Sequence, residues 1–437
     1  MKKIFLILVL LCFTLTISGC KKEKCHILDK EDNVIAETND TLNKGNINNA
    51  YIDVTMTKAL EILMKEKDLE KEQAKKDLYN NNYKIFTYCD TEIINNIDIA
   101  FFKNHGELDF GCAITDLNGN LIAVYSSSDN MNFSTQKNPP YSTIKPLAVY
   151  CQALENSQIN WSSTIVDSPF KKIDDGNGGT RDWPTNATNV YLSKPVTIYD
   201  AVKESLNTVS VKVLNEYGVK KSMDFLKEKF DFNIKTEEYK GNIFGEEEVI
   251  GNIALGYTVE GESPIDMAGY YQIFANGGNY TRPNPIRKII DKNGKVIYEN
   301  QSTPQQIISE ETSCIMNKLL QGVVTIGGTG EDAYCKNVAV AGKTGTGDLN
   351  SGNWFVGVTP EYSCAIWHSK SDNNYAAKIF SAIFESSAIK IKDFRTSPNV
   401  IKKIYCKESG KLLGEKCTLI DMGYYAKDNI PDICNLH

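Results

Sequence analysis

Apolar and polar positions recur with different periods along this chain, and the changes of period mark out its elements. Behind Lys2 and Lys3, residues 4–17 are an unbroken apolar run. Residues 21–49 are polar and charged with no periodic apolar face, the pattern of a solvated spacer. Between 51 and 76, Val54, Leu60, Ile62, Leu63 and Leu69 fall near helical spacing among many charges, which predicts one or two surface helices. Residues 83–88 alternate and are rich in aromatic and β-branched types, which predicts a strand. A hairpin follows at 112–125, where two apolar runs flank Leu117-Asn118-Gly119-Asn120 and Asn-Gly supplies the positive φ of a tight turn. A second hairpin is read over 337–342 and 353–358 around the Gly- and Asn-rich turn 347–352, with another strand at 363–368. Between the hairpins lie about 200 residues of largely helical pattern. That order predicts an α+β fold, an antiparallel β-sheet flanked by helices with a helical subdomain.

Composition sharpens this in three places. The apolar run of residues 4–17 is shorter than the ~20 residues needed to cross roughly 30 Å of hydrocarbon, so it reads as an export signal. Its end, Ile17-Ser18-Gly19-Cys20, is similar to a bacterial lipobox, in which cleavage before the cysteine leaves Cys20 as the lipid-bearing first residue. Ordinary secretion with Cys20 as a plain thiol is the other reading, and either one puts the protein outside the cytoplasm. A formal charge of −7 argues against nucleic acid as a partner. Only four histidines (His26, His105, His368, His437) leave little material for His-based metal sites or Ser/His/Asp triads, so the chemistry rests on another base. Without Cys12 and Cys20 ten cysteines remain, and an exported chain permits disulfides. Cys406, Cys417 and Cys434 crowd the end of the chain, where some pairing is expected, and no paired C-x-x-C spacing suggests zinc. No metal and no cofactor are expected.

Three short strings carry the candidate chemistry. Ser142-Thr143-Ile144-Lys145 is followed by Pro146, Leu147, Ala148, Cys151 and Leu154 at helical spacing, so it opens a helix with one apolar face. Residues three apart on a helix are neighbours. Lys145 can therefore hydrogen-bond the Ser142 hydroxyl and take its proton, provided burial keeps the amine neutral. The helix start adds N–H groups and partial positive charge for an oxyanion. S-x-x-K alone is weak, since four more start at Ser18, Ser134, Ser168 and Ser387. Order decides: of several S-x-N strings only Ser205-Leu206-Asn207 lies between Ser142 and the single Lys343-Thr344-Gly345. That K-T-G is read at the end of a strand over 338–341 and continues as Thr346. A lysine and hydroxyls there can hold a substrate carboxylate, and glycine lets the backbone approach an extended peptide added as a strand. A solvated hairpin lysine is the plain alternative for Lys343, disfavoured by the company it keeps.

Taken together, these strings resemble the transpeptidase domain of penicillin-binding proteins, most nearly the class A kind; S-x-x-K, an S-x-N and K-T-G are the signatures of these enzymes and their β-lactamase relatives. Other matching strings are Asp182-Trp183-Pro184-Thr185-Asn186, Ala254-Leu255-Gly256, Ser263-Pro264-Ile265-Asp266, Ala275-Asn276-Gly277-Gly278 and Trp354-Phe355-Val356-Gly357. The resemblance runs from about 83 to 370 and extends to the cysteine-bearing tail. It implies a serine-transpeptidase/β-lactamase-like fold, Ser142 as the acylated nucleophile and Lys145 as its general base. Ser205 would relay the proton to the leaving amine and Asn207 would orient the substrate amide. Lys343, Thr344, Gly345 and Thr346 would bind the terminal carboxylate, with the N–H groups of Ser142 and Thr346 as the oxyanion hole. The implied reaction is D,D-transpeptidation of D-Ala-D-Ala stem peptides of peptidoglycan, with β-lactams acylating the same serine.

Two departures stand out. Such motifs usually carry glycine before the nucleophile, where this chain has Tyr141 after Pro139-Pro140. Class A proteins also carry an upstream glycosyltransferase domain, and no E-D-x-x-F-x-x-H-x-G string is present. The expectation is a crosslinking protein held to the bacterial membrane by its lipid and working with a separate glycan polymerase. Its expected organisation is a lipoprotein signal peptide over 1–19, a polar tether over 20–50 and a helical and stranded linker over 51–105. The transpeptidase domain then covers 106–395 and the cysteine tail 396–437. The alternatives are a D,D-carboxypeptidase, a β-lactamase or β-lactam sensor, and a catalytically silent scaffold. E-x-x-x-N strings starting at Glu238 and Glu248 are an echo of a β-lactamase base, discounted because the surrounding segments resemble penicillin-binding proteins instead. Gly327-Gly328-Thr329-Gly330 reads as a turn, not a phosphate loop.

Overall fold

The computed structural model describes residues 24–38, 42–43, 49–105, 108–232, 234, 246–258, 260–347, 351–370, 374–387, 389–391 and 393–436. The export signal, Cys20 and the string 238–242 lie outside them. The described chain opens with β1 (Cys25–Leu28), β2 (Val34–Thr38) and β3 (Leu42–Asn43), then α1 (Asn49–Lys67), α2 (Lys71–Asn80), β4 (Lys84–Thr87) and α3 (Thr91–His105). Next come β5 (Phe110–Asp116) and β6 (Leu121–Ser126), and then a helical stretch: α4 (Ile198–Lys203), α5 (Asn207–Tyr217), α6 (Val219–Phe230), α7 (Glu246–Leu255) and α8 (Pro264–Tyr271). Strands β7 (Ile286–Ile290) and β8 (Val296–Glu299), α9 (Glu310–Val323), β9 (Ala341–Thr346), β10 (Asn353–Val358), β11 (Tyr362–His368) and α10 (Tyr375–Ser386) complete the body. The tail is a hairpin of β12 (Val400–Cys406) and β13 (Ile420–Ala426). The architecture is α+β, as the period changes predict.

A five-stranded antiparallel sheet of order β9-β10-β11-β5-β6 is the scaffold of the body. Successive side chains of β10 point to opposite faces. Phe355 packs against Phe380 of α10 with ring centroids 4.9 Å apart, while Trp354 turns the other way and donates its indole N–H to Pro139 O at 2.9 Å. Helices therefore cover the sheet on both sides. Helix starts are set by side-chain caps: Thr197 accepts from Asp200 N, Ser309 from Thr312 N, and Ser263 forms a capping box with Asp266.

The polar tether expected over 20–50 is corrected for residues 25–38. They pair as β1 and β2 in a six-stranded sheet of order β8-β7-β4-β1-β2-β3, with Cys25 and Ile27 fully buried. The signal is a short one, since the two strands have only four and five residues and flank a polar turn. The turn is closed by Asp29 Oδ1, which accepts from the N–H groups of Glu31 and Asn33 at 2.9 Å. Helix α1 lays Ile52, Met56, Ala59 and Leu63 on this sheet, four positions on one helical face. Strands β7 and β8 reach the same sheet from within the stretch read as the 106–395 domain.

Two more expectations change. The helix opened by Ser142 was read with one apolar face, but Thr143 through Leu154 are buried on every side, because this segment runs through the centre of the molecule between the sheet and the helices. The K-T-G string, read at a strand end, lies inside β9. Gly342 and Gly345 weaken a strand pattern in sequence, yet here the backbone approaches its neighbours closely: a Cβ on Gly345 would stand 2.8 Å from Pro140 O. Finally, Cys406, Cys417 and Cys434 are free thiols, so the pairing expected among them is not formed.

Candidate active site

Ser142 lies in a 3₁₀ turn, Tyr141–Ile144, that Lys145 closes by donating its N–H to Ser142 O. Side chains at i and i+3 eclipse in such a turn, so Ser142 and Lys145 share a face. Pro146 has no N–H to continue the turn, and the chain widens through a π-type turn, Pro146–Tyr150, before the α-turn Cys151–Glu155. Tyr141 has φ +47°, in the left-handed region, which gives a physical reason for glycine at that position in similar motifs. Holding a tyrosine there costs about 1–2 kcal/mol. Gly256 holds it: the Tyr141 N–H donates to Gly256 O at 3.1 Å, and a Cβ on Gly256 would come within 2.1 Å of Tyr141 O.

Ser205 sits between α4 and α5 with φ +58°, a second left-handed residue, and Asn207 is the first residue of α5. Lys145 Nζ donates to Ser205 O at 2.8 Å and Asn207 Oδ1 at 2.6 Å, and lies 3.4 Å from Ser205 Oγ. Lys343 Nζ approaches the same hydroxyl at 2.8 Å and donates to Thr344 O at 3.1 Å. The structure thus brings Lys145, Ser205, Asn207 and Lys343 into one hydrogen-bonded cluster. Ser142, half-buried, faces the same cleft. The expected Lys145–Ser142 hydrogen bond is not formed, because the amine is drawn to two stronger acceptors, a carbonyl and an amide oxygen.

Both amines are fully buried, and among the described residues no carboxylate pairs with either. Burial first, and then the neighbouring charge of Lys343, holds the Lys145 pKa well below the ordinary lysine range. Burial pushes Lys343 down to about 7. Of the two, Lys145 alone carries the added like-charge penalty, which favours its neutral form. Its two N–H groups are spent on Ser205 O and Asn207 Oδ1, which leaves a lone pair available as a base.

The open edge of β9 forms one wall of the cleft. The Gly347 N–H donates to Gly352 O at 3.0 Å, in register with the pairing of Thr346 opposite Asn353. Hydrogen-bonded and non-bonded pairs alternate in an antiparallel ladder. Thr346 and Thr344 therefore turn their main-chain N–H and C=O groups away from β10, toward the open side. The Ser142 N–H is likewise without a protein acceptor among the described residues. The Ser142 and Thr346 amides are thus among the donors facing a cleft of about 740 Å³ lined by Ser142, Ser205, Asn207, Thr344, Thr346, Tyr141, Trp183 and Tyr257.

Sequence reasoning assigned no role to several residues that build this site. Asn186 accepts the Asn207 N–H at 2.9 Å and donates to Asp167 Oδ1 at 2.8 Å. Asp167, fully buried, also accepts from Thr208 Oγ1 at 2.6 Å and Leu192 N at 2.7 Å. Thr185 O takes the Asn207 side-chain N–H at 2.7 Å. Asn186 stood in one of the quoted strings, which was the available signal. Thr329, read as part of a plain turn, shares a hydrogen bond with Thr344 Oγ1 at 2.9 Å and lines the cleft. Glu204 is the one carboxylate among the described residues lining it.

Residues 112–386 match the family model for the penicillin binding protein transpeptidase domain, more than half of the chain. The chain belongs to that family. It is 30% identical over 289 residues to penicillin-binding protein 1A of Clostridium acetobutylicum, covering 64% of this chain and 34% of that one. To penicillin-binding protein 4 of Bacillus subtilis it is 28% identical over 301 residues, 67% of this chain and 45% of that one. The chain spans about a third of the length of the curated relatives it matches first. Among solved structures, penicillin-binding protein 1A of Haemophilus influenzae superposes with a TM-score of 0.72 at 16% identity, covering 91% of this chain and 78% of that one. The imipenem acyl-enzyme complex of penicillin-binding protein A of M. tuberculosis gives a TM-score of 0.65 at 16% identity, covering 83% of this chain and 98% of that one. Both share the fold.

Proposed function

We propose that this protein is a peptidoglycan D,D-transpeptidase that works through a serine acyl-enzyme on D-Ala-D-Ala stem peptides. The observation that carries this reading is the convergence of two fully buried, carboxylate-free amines on the Ser205 hydroxyl beside Ser142. Ser142 Oγ attacks the carbonyl of the penultimate D-Ala, and its proton passes to the neutral Lys145 amine. The oxyanion is held by the N–H groups of Ser142 and Thr346. The C–N bond then breaks, and the proton reaches the leaving D-alanine amine through Ser205 Oγ, which both lysines touch. The Lys343 amine, in its protonated form, and the hydroxyls of Thr344 and Thr346 hold the terminal carboxylate, and Gly345 lets the peptide backbone lie against β9. Asn207, its side chain fixed by Lys145 and Thr185, orients the peptide amide. An acceptor amine attacks the ester in the second half, giving the crosslink and returning the proton to Ser142.

β-Lactams acylate Ser142 in the same reading, in keeping with the acyl-enzyme described for penicillin-binding protein A of M. tuberculosis. The reading also includes an extracytoplasmic location and a membrane anchor through an acylated Cys20, both resting on the sequence 4–20. Incubation with labelled penicillin, followed by stem peptide with and without an amine acceptor, tests it. A long-lived adduct, absent in Ser142→Ala, with crosslinked product from the acceptor, is expected. An adduct that survives in Ser142→Ala, or none in the native protein, overturns the assignment. Rapid release of the adduct identifies a β-lactamase instead, and hydrolysis alone a carboxypeptidase.

A further inference from the structure

The tail holds a second cluster of chemistry-bearing side chains. Strand β12 ends at Cys406, the chain turns back through Leu412, passes Cys417 before β13, and returns to Cys434. Main-chain hydrogen bonds tie these three segments together: Cys406 N to Lys411 O and Cys434 N to Leu412 O, both 2.8 Å, and Cys417 N to Gly414 O at 3.3 Å. The result is a single knot with three sulfurs inside it. Their Sγ atoms all lie within 4.8 Å of one another, with Cys406 and Cys434 buried and Cys417 half-buried.

We propose that Cys406, Cys417 and Cys434 hold a structural zinc ion. Tetrahedral zinc with Zn–S bonds of about 2.3 Å needs sulfurs about 3.8 Å apart, a contraction within reach of side-chain rotation. A disulfide would need one pair at about 2.05 Å and would leave the third thiol unmatched at the same spot. The surroundings suit thiolates. The Gly414 N–H donates to Cys417 Sγ at 3.3 Å. N–H groups aimed at ligand sulfurs orient them and balance their charge. Binding breaks three S–H bonds, releases three protons and forms three Zn–S bonds. Three thiolates around a divalent ion leave one net negative charge, so the fourth position falls to a neutral ligand. The run Cys406-x10-Cys417-x16-Cys434 contains no short C-x-x-C pair, which is why the spacing did not suggest zinc.

The stapled tail braces the cleft. Lys407, next to Cys406, pairs with Asp200 Oδ2 of α4 at 3.2 Å, and Ser162 Oγ donates to Gly410 O at 2.5 Å. Trp161 stacks on Tyr199 of α4 at 4.8 Å and meets Tyr424 of β13 at 5.1 Å. Helix α4 ends two residues before Ser205. A metal holding Cys406 in place thereby supports the helix that delivers Ser205 to the two lysines.

Elemental analysis of the full chain, purified under reducing conditions without chelator, is expected to find one zinc per chain. Cobalt(II) exchanged into the site is expected to give thiolate-to-metal charge-transfer and tetrahedral d–d absorption. Metal affinity should fall at least tenfold in Cys406→Ser and in Cys434→Ser, and stay unchanged in Cys335→Ser, a buried thiol elsewhere in the fold. Chelation should lower the unfolding midpoint of the native chain, reversibly on adding zinc back. A native chain with reduced thiols that binds neither zinc nor cobalt overturns the proposal. So does a non-reducing mass two hydrogens lighter that maps a disulfide to any two of the three, a reading that needs no variant to fold.

Discussion

Replacing Lys343 by methionine tests the electrostatic heart of the site. The two amines approach one hydroxyl, Ser205 Oγ, at 3.4 and 2.8 Å, so their nitrogens are no more than about 6 Å apart. At an effective dielectric of about 20, two unit charges at that distance repel by roughly 3 kcal/mol, or about two pH units in the titration of either. Below about pH 7 Lys343, lowered to that value by burial, carries its charge beside Lys145. Its charge therefore helps keep Lys145 neutral. Deprotonated Lys145 is the active base, so acylation rises with pH through the Lys145 pKa. Removing Lys343 relieves the repulsion, raises that pKa and moves the rising limb to higher pH. The assay is the second-order rate of acylation by fluorescent penicillin across the pH range, for native protein and Lys343→Met. The absolute rate also falls through loss of the carboxylate contact, so the reading is the position of the limb. A shift of one to two units toward alkali is expected, roughly a 10- to 100-fold loss at a pH below both limbs. The falling limb near 7, which reports Lys343 itself, is expected to vanish. A limb that stays in place, or moves toward acid, refutes the coupling and removes Lys145 as the titrating base.

Three further outcomes follow from the surroundings of the cluster. Asn186→Ala removes one of three donors to buried Asp167 and the acceptor of the Asn207 N–H, at a cost of about 1–3 kcal/mol in denaturant unfolding. It should slow acylation at least about tenfold by loosening Asn207. Gly256→Ala places a methyl 2.1 Å from Tyr141 O at φ +79°. Stability should drop by more than about 2 kcal/mol, and acylation with it, because Tyr141 carries Ser142. Tyr141→Gly releases about 1–2 kcal/mol of backbone strain but removes a buried ring whose loss costs about 3–5 kcal/mol, so a net destabilisation of about 2–3 kcal/mol is expected by thermal unfolding.

The broad architecture and the clustering of Lys145, Ser205, Asn207 and Lys343 were legible because each signal is local. A hairpin turn at Asn118-Gly119 and motifs in fixed order survive without knowledge of tertiary contacts. What escaped was set by packing at a distance. The strands at Cys25–Leu28 and Val34–Thr38 are too short to outweigh their polar neighbours until β4 and α1 cover them. The strand carrying K-T-G was read as ending near Gly342, because Gly342 and Gly345 weaken a strand pattern in sequence, when they allow close approach to Phe355 and Pro140. The direction of the Lys145 amine depended on acceptors sixty residues away, which no spacing within S-x-x-K encodes. Asn186 and Thr329 were hidden for the same reason: each acts through a partner from another segment.

Strands Ile286–Ile290 and Val296–Glu299 leave the middle of the stretch 112–386 to complete a sheet begun before residue 40. Tyr51 adds a stitch, its hydroxyl reaching Leu121 O at 2.9 Å and Pro285 O at 3.3 Å. The two halves are woven rather than joined end to end. A fragment cut at residue 106 would bare the flank of Ile286–Ile290 together with buried Ile286 and Ile289, an invitation to aggregate. Grafts or chimaeras between relatives should therefore exchange 25–105 and 286–299 as one piece.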